Sequence, residues 1–170
     1  RQRAPVEREV ESREIQAMRD LDVIEPGTSC GWICDTLFVP KPDGSLRFCS
    51  NFSALNENVL FDNYPFPSLP EVVHEVATWN HVIKSDLTAA FWQIPIAPRA
   101  RSLFQFHSVD GLHQYKRVPF GFVNSMQALQ RAVNIITKGL PKVRSYADDI
   151  TVGGATIDEL IANFTGLLDS

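Results

Sequence analysis

The sequence predicts an α+β fold, an antiparallel sheet with helices packed on one face. Three observations predict it. Short alternating or apolar runs come in pairs joined by tight turns: Pro42-Asp43-Gly44, Asp110-Gly111, and the stretch between Tyr146 and Ile150. Amphipathic stretches with helix-start and helix-stop residues separate these pairs. The order is helix, hairpin, helix, strand, hairpin, helix, tight hairpin, helix, without the strict strand–helix alternation that builds a parallel sheet.

Each element has its own warrant. The first 23 residues read as an amphipathic helix with Val6, Val10, Ala17, Met18 and Leu21 near one face, stopped by Pro26-Gly27. Thr36 to Lys41 and Ser45 to Ser50 alternate as strands around the first turn. Asn56 to Pro67 is irregular and carries prolines. Ser68 and Glu71 have the capping-box spacing and open a helix to about Thr78. His81 to Asp86 reads as a strand ending in an acid, and Leu87 to Trp92 as a short helical or turn segment stopped by Pro95. Ser102 to Ser108 and Leu112 to Val118 form a second hairpin. Asn124 to Lys138 is a helix with Leu129, Val133 and Ile136 on its apolar side, closed by Gly139 and Pro141. Val143 to Tyr146 and Ile150 to Val152 are short strands separated only by Ala147-Asp148-Asp149. Thr156 and Glu159 form a second capping box, and the helix they open is expected to bury Leu160, Ile161, Phe164, Leu167 and Leu168.

Composition bounds the function. The 170 residues suit one domain or slightly more, and the chain is 44% hydrophobic and 21% charged, which excludes a disordered tail. At this size about two-thirds of the unfolded surface can be buried. No apolar run is long enough for a membrane-spanning helix, and no basic-then-apolar leader opens the chain. Because it begins at Arg1 and stops at Ser170 just after a helical pattern, a piece of a longer protein is expected. The net charge of −4 argues against a non-specific nucleic-acid binder, but not against an enzyme with acids at a metal site and bases in one groove. Glu7, Glu9, Glu11 and Glu14 crowd the first helix, whereas Arg99, Arg101, Lys116, Arg117, Arg131, Lys138, Lys142 and Arg144 make the middle basic. Cys30, Cys34 and Cys49 are odd in number and fit a reducing compartment as three half-buried thiols. With no CxxC pair or nearby histidine, they do not read as a zinc site. His74, His81, His107 and His113 fall in separate elements, as surface or packing residues.

The chemistry concentrates at Tyr146-Ala147-Asp148-Asp149. On residue type alone this reads first as a solvated turn, since Asp favours turns. Adjacent carboxylates, however, disfavour joint ionisation unless something neutralises them. A further acid, Asp86, ends the strand Val82-Ile83-Lys84-Ser85-Asp86. Three carboxylates at strand ends converge on one site if the strands are neighbours in the sheet, and hard oxygen donors of that kind suit Mg²⁺. Two such ions activate a nucleophile and stabilise a leaving group in phosphoryl or nucleotidyl transfer.

Set in order, the motifs are Val23-Ile24-Glu25-Pro26, Val39-Pro40-Lys41-Pro42-Asp43-Gly44-Ser45-Leu46-Arg47-Phe48-Cys49, Leu55-Asn56 and Tyr64-Pro65-Phe66-Pro67. They continue with Asp86-Leu87-Thr88-Ala89-Ala90-Phe91-Trp92-Gln93-Ile94-Pro95, Val118-Pro119-Phe120-Gly121-Phe122, Asn124-Ser125, Gln130-Arg131 and Tyr146-Ala147-Asp148-Asp149-Ile150. The chain resembles the fingers-and-palm region of a reverse transcriptase from a long-terminal-repeat retrotransposon of the Ty3/gypsy kind, or from a retrovirus-like element. Each motif is weak alone; their order and spacing over nearly the whole chain are specific.

The resemblance implies a right-hand polymerase fold and an RNA-directed DNA polymerase that adds dNTPs to a primer 3′-hydroxyl with two Mg²⁺ or Mn²⁺ ions. It implies that Asp86, Asp148 and Asp149 are catalytic metal ligands and that Leu87 adds its backbone carbonyl. Phe91 takes the place of the ring that leaves no room for a 2′-hydroxyl. Without the resemblance, Phe91 and Trp92 read as core aromatics. Lys41 and Arg47 match the residues that contact the incoming triphosphate, and Phe120 and Gly121 lie beside the nucleotide pocket, where glycine allows close backbone approach. Lys41 also reads as part of a solvated cationic turn. Gln130, Arg131 and Tyr146 are expected to meet nucleic acid.

As to organisation, the resemblance implies one domain fragment over 1–170. About 1–85 is mostly fingers with the start of the palm, and 86–170 is mostly palm with a fingers insertion near 96–118. Thumb, connection and ribonuclease H are expected beyond Ser170. Partners are an RNA or DNA template with its primer, dNTPs, and the remaining polyprotein domains (thumb and ribonuclease H, with protease and integrase), with no membrane. The location is the cytoplasm, in virus-like particles. Asn51-Phe52-Ser53 replaces the family's Asp-aromatic-Arg, and Ser125, Met126 and Leu129 depart from its small residue, Pro and Phe. These departures keep open a catalytically silent, truncated remnant with at most weak nucleic-acid binding. Another palm-type nucleotidyltransferase or cyclase is a third reading, against which the Lys41/Arg47 hairpin speaks.

Overall fold

The structure, a computed structural model, describes residues 3–28, 30–40 and 42–170. In chain order its elements are α1 (Pro5–Asp20), β1 (Ile24–Pro26), β2 (Ile33–Pro40), β3 (Leu46–Asn51), α2 (Ser53–Asn56), α3 (Leu69–Val76), β4 (His81–Asp86), β5 (Gln105–Ser108), β6 (Gly111–Tyr115), α4 (Ser125–Ile136), β7 (Val143–Tyr146), β8 (Asp149–Gly154) and α5 (Ile157–Leu168). Single 3₁₀ turns occupy Ala90–Gln93 and Pro98–Leu103. The chain divides into two compact units: Arg1–Phe61 with Phe91–Ser125, and Asp62–Ala90 with Met126–Ser170.

The first unit holds a five-stranded sheet in the order β1-β6-β5-β2-β3. The expected hairpins β2–β3 and β5–β6 are present, the latter shorter than expected. In the first, the Asp43 carboxylate accepts the Ser45 N–H at 2.9 Å while Gly44 takes φ +80°, a conformation glycine adopts without a Cβ clash. One pairing breaks the antiparallel rule: β2 and β5 run parallel, Ile33 opposite Gln105 and Cys34 opposite Phe106. The strand β1 was not expected. The first helix stops at Asp20, Asp22 turns the chain at φ +54°, and Ile24-Glu25-Pro26 then pairs with β6.

The helix α1 buries Glu11, Ile15 and Met18; of the expected face Met18 is inside, whereas Val6 and Leu21 are 63% and 62% exposed. Ala17 also lies outward. The true i, i+4, i+7 stripe contains an acid, so hydrophobic periodicity hid it. Glu11 is accommodated by an ion pair with Arg3, which also donates to Thr36 and lies over the Phe38 ring at 5.3 Å. Beneath the sheet, Phe52, Phe104, Phe106, Tyr115 and Val23 make an aromatic-rich core. Phe106 and Tyr115 rings are 5.0 Å apart and Phe104 and Phe122 4.9 Å. Burial pushes the Tyr115 hydroxyl up to about 12, although Ser50 hydrogen-bonds it at 3.0 Å.

The second unit holds a three-stranded antiparallel sheet in the order β4-β8-β7. Its succession β4, α4, β7, β8, α5 is that of a split βαβ arrangement. The His81–Asp86 strand has the expected bounds. Of the two expected capping boxes, the one opening α5 forms: Thr156 Oγ1 accepts the Glu159 N–H at 3.2 Å, and Glu159 accepts the Ala155 N–H at 2.8 Å. At α3, Ser68 makes no side-chain cap bond. Pro70 has no N–H to offer it and starts the helix by its fixed φ instead. On α5, Leu160 is buried, but Ile161 and Leu168, expected inside, are 56% and 70% exposed.

Of the three cysteines, Cys30 is exposed, Cys34 buried and Cys49 intermediate. Burial raises the Cys34 thiol to about 11. No described helix is long and apolar enough to cross a membrane.

Two outcomes follow from this packing. Ile15→Ala lowers urea-unfolding stability by about 2–5 kcal/mol, whereas Val6→Ala changes it by less than about 0.5 kcal/mol; equal effects would mean the buried face is misassigned. Burial alone would raise the Glu25 carboxyl, but bonds from Gln114 (2.7 Å) and Arg101 (3.1 Å) outweigh it and hold the group below its ordinary 4.5. That stabilisation is present above the unfolded value and lost as pH falls through the folded one. Arg101→Met therefore makes the loss of stability below pH 4.5 shallower in acid titrations followed by circular dichroism.

Candidate functional site

In the second unit, the antiparallel register between β4 and β8 sets Asp86 opposite Asp149, with Ser85 opposite Ile150. Directly opposed residues of an antiparallel pair project from the same face of the sheet. Asp148 lies one residue before Asp149, in the two-residue turn between β7 and β8, where Tyr146 pairs with Asp149. Beyond Asp86, the Leu87 N–H donates to the Asp148 carbonyl at 3.0 Å, which extends the β4–β8 contact into the turn. Asp86 and Asp148 are exposed and Asp149 is intermediate.

The turn is strained. Ala147, its first central residue, has φ +57° and is buried, whereas Asp148 is not among the positive-φ residues. This is the sign pattern of a II′ hairpin turn, which prefers glycine at that place. Holding a non-glycine residue in such a sparsely populated region costs about 1–3 kcal/mol.

Among the described residues, no three His, Cys, Asp or Glu side chains lie close enough together to hold a metal ion. The Asp149 carboxylate instead meets the Lys84 ammonium at 3.0 Å. Lys84 stands two residues before Asp86 on the same strand, so it shares the face of Asp86 and Asp149 and brings a positive charge to it. By donor chemistry the group still fits a hard divalent cation: it offers carboxylate oxygens from adjacent strands, accessible to solvent, with no sulfur or imidazole among them.

The first unit gathers a different set. The Phe91 ring meets the Phe120 ring edge-on at 5.0 Å and 90°, and Trp92 approaches Phe120 at 6.1 Å. Phe91 is half-buried against the unit's aromatic core, and Phe120 is 54% exposed. Gly121 has φ +85°, while a Cβ built there would meet Ser50 O no nearer than 3.9 Å. Its backbone angle alone therefore favours glycine at this position. Asn56 holds this loop: its Nδ2 donates to the Gly121 carbonyl at 2.9 Å and its Oδ1 accepts the Val123 N–H at 2.9 Å. Sequence reasoning assigned Asn56 no role; an Asn following Leu55 at the end of a short turn was the signal available. Arg47 is exposed on β3, opposite Val39. Lys41 lies outside the described residues.

One expectation about nucleic-acid contact changes. Gln130 does not face solvent; it is fully buried, with its amide bonded to the β7–β8 hairpin. On a helix that packs by its apolar positions, Gln130 falls one residue after buried Leu129 and shares the inward side. Arg131 is exposed, but its guanidinium bonds both Asp62 oxygens at 2.8 and 3.0 Å and stacks over Tyr64 at 4.5 Å. Tyr146 is half-buried, edge-on to Phe66 at 5.6 Å.

The sequence model of the family described as reverse transcriptase (RNA-dependent DNA polymerase) matches residues 39–169. The genome polyprotein of Petunia vein clearing virus is 29% identical over 154 residues, which cover 88% of this chain and 7% of that polyprotein. A retrovirus-related Pol polyprotein from transposon 297 of Drosophila melanogaster is 30% identical over 173 residues, 95% of this chain and 16% of its own length. The chain therefore spans a small part of the relatives it matches. Among solved structures, the foamy viral protease-reverse transcriptase in complex with an RNA/DNA hybrid superposes with a TM-score of 0.86 at 22% identity, over 99% of this chain and 23% of that one. The native prototype foamy virus enzyme gives 0.83 at 22%, again over 99% and 23%. The fold is that of these proteins.

The opposed acids make a stability prediction. Like charges directly opposite on a sheet are unfavourable by about 0.2–1 kcal/mol. In chelator, Asp86→Asn raises the thermal unfolding midpoint, and added Mn²⁺ then stabilises the unsubstituted chain more than the variant. A midpoint that falls in chelator would show that Asp86 is held by a structural contact.

Proposed function

The chain belongs to the reverse transcriptase (RNA-dependent DNA polymerase) family, and on that footing we propose that it is the part of a retroelement polyprotein where dNTPs are joined to a primer 3′-hydroxyl on an RNA or DNA template. The observation that carries the reading is the register of the second unit's sheet, which aligns the three acids of the family's motifs at one end of β4 and β8. We assign fingers to the first unit and palm to the second. The silent-remnant alternative has no observation of its own in its favour: Asp86, Asp148, Asp149 and Phe91 are all present.

In this reading Asp86, Asp148 and Asp149, with the Leu87 carbonyl, hold divalent cations, Mg²⁺ or Mn²⁺. Bound there, two such ions supply activation of the attacking hydroxyl and neutralisation of the leaving pyrophosphate. Lys84 neutralises the Asp149 carboxylate. The Phe91 ring, braced edge-on by Phe120, stands under the sugar and excludes a 2′-hydroxyl by volume alone. Gly121 offers backbone beside the base, and Asn56 keeps that loop in place. Arg47, with Lys41 from the same hairpin, neutralises the triphosphate, and Arg131 and Tyr146 approach the nucleic-acid strands. The foamy viral relative's complexes with an RNA/DNA hybrid and with double-stranded DNA support the choice of partner. The remaining polyprotein supplies thumb, ribonuclease H, protease and integrase, and the assembly works in cytoplasmic virus-like particles.

The test is primer extension on poly-A and oligo-dT by the complete polyprotein polymerase. Asp86→Asn or Asp148→Asn lowers kcat by about a thousandfold, the order seen when a transition-state charge loses its stabiliser. Phe91→Val raises ribonucleotide incorporation while leaving dNTP use within a few-fold. Product formation at the original rate by Asp86→Asn would end the reading, and unchanged sugar discrimination would remove Phe91 from its role. Binding of primer–template falls steeply with salt, because phosphate neutralisation releases counterions.

A further inference from the structure

The strained turn that carries Asp148 is held by a side chain that touches neither solvent nor the acids. Ala147 keeps φ +57° inside the protein, and such an angle persists only where the surroundings over-determine it. Gln130 on α4 is 0% exposed. Its Oε1 accepts the Ala147 N–H at 2.9 Å, and its Nε2 donates to the Ser145 hydroxyl at 3.1 Å and to Asn134 Oδ1 at 2.8 Å. Asn134 in turn donates to the Tyr64 hydroxyl at 2.9 Å, which anchors the amide from behind. Both ends of one amide thus grip the hairpin on either side of Tyr146. From β4, the Leu87 N–H fixes the next carbonyl, that of Asp148.

We propose that Gln130 is a positioning residue: its amide locks the left-handed Ala147 turn and so sets the directions in which the Asp148 and Asp149 carboxylates leave the sheet. The inference rests on the reading of the three acids as a cation site. A simpler role, filling the core, would need only volume. The geometry argues for more, because the acceptor end meets the N–H of the one strained residue in the hairpin. Gln130→Met preserves volume and removes both functions of the amide. Gln130→Asn keeps an amide too short to reach Ala147. Gln130→Glu keeps an acceptor for the Ala147 N–H. Asn134→Ala removes only the anchor.

The experiment uses the 170-residue chain. Free Mn²⁺ is titrated by electron paramagnetic resonance, and exchange of the Ala147 amide is followed by NMR. Gln130→Met and Gln130→Asn are expected to weaken Mn²⁺ binding at least tenfold and to speed Ala147 exchange at least tenfold, with far-UV circular dichroism unchanged. Gln130→Glu stays within threefold of the unsubstituted chain on both measures, and Asn134→Ala falls between. If Gln130→Met does not fold, Gln130→Asn carries the test with the same tenfold criterion. Unchanged Mn²⁺ affinity in a folded Met or Asn variant overturns the proposal, as does a Glu variant that falls as far as Asn. A chain whose Mn²⁺ binding ignores both Asp86→Asn and Asp148→Asn overturns the underlying reading instead, and is recognised by those two controls alone.

Discussion

The position of β8 between β4 and β7 is the constraint on which the second unit depends. A strand paired on both sides has its register fixed twice. A slip of one residue would turn every side chain of β8 to the opposite face. Asp149 would then leave the face of Asp86 and Lys84, and Val152, fully buried, would be driven outward. The buried residues of β8 and the acids at its start are therefore set by one alignment. The hydrophobic requirement at Ile150 and Val152 enforces the polar arrangement a residue or two away.

How much of this was legible depended on where each residue's contacts lie. Strands such as His81–Asp86 and hairpins with Asp-Gly turns announce themselves locally, because alternation and turn chemistry are properties of a few neighbouring residues. The strand Ile24–Pro26 is three residues long and contains proline; it exists because β6 offers it an edge, which no local pattern encodes. The parallel pairing of β2 with β5 is likewise a decision of the tertiary fold. Glu11 misdirected the reading of α1, since an acid inside an apolar stripe is tolerated only when a cation such as Arg3 arrives from elsewhere in the chain. The acids Asp86, Asp148 and Asp149 were visible because charge at the end of an apolar strand is conspicuous. Gln130 and Asn56 stood among the motifs, but their bonds were not legible, because an amide reads as surface until the fold shows what it faces.

The basic middle of the chain also changes meaning once folded. Arg101 is paired with Glu25, Lys116 with Asp22 and Arg131 with Asp62. Their charges hold segments together before they meet any phosphate. Arg131 shows the compromise: stacked over Tyr64 and bonded to Asp62, it organises the chain after Phe61 and keeps an exposed edge. A count of cations in the sequence therefore overstates the field available to a polyanion, and the net charge of −4 is nearer to what the surface presents.

The outer edge of β4 is the margin of its sheet, and among the described strands only β8 pairs with it. Bare backbone donors and acceptors along such a margin invite any extended chain to add itself, including another copy of the same sequence. A lysine in mid-strand is a gatekeeper against that, since its charge resists burial beneath an added strand. Lys84, 65% exposed, stands there, and its ammonium is the same one that neutralises Asp149. One side chain thus couples solubility to the acidic centre. Exchanging it for a neutral residue would bare a sticky margin and uncover a carboxylate together, so poor behaviour in solution and altered cation affinity would arrive as a single phenotype.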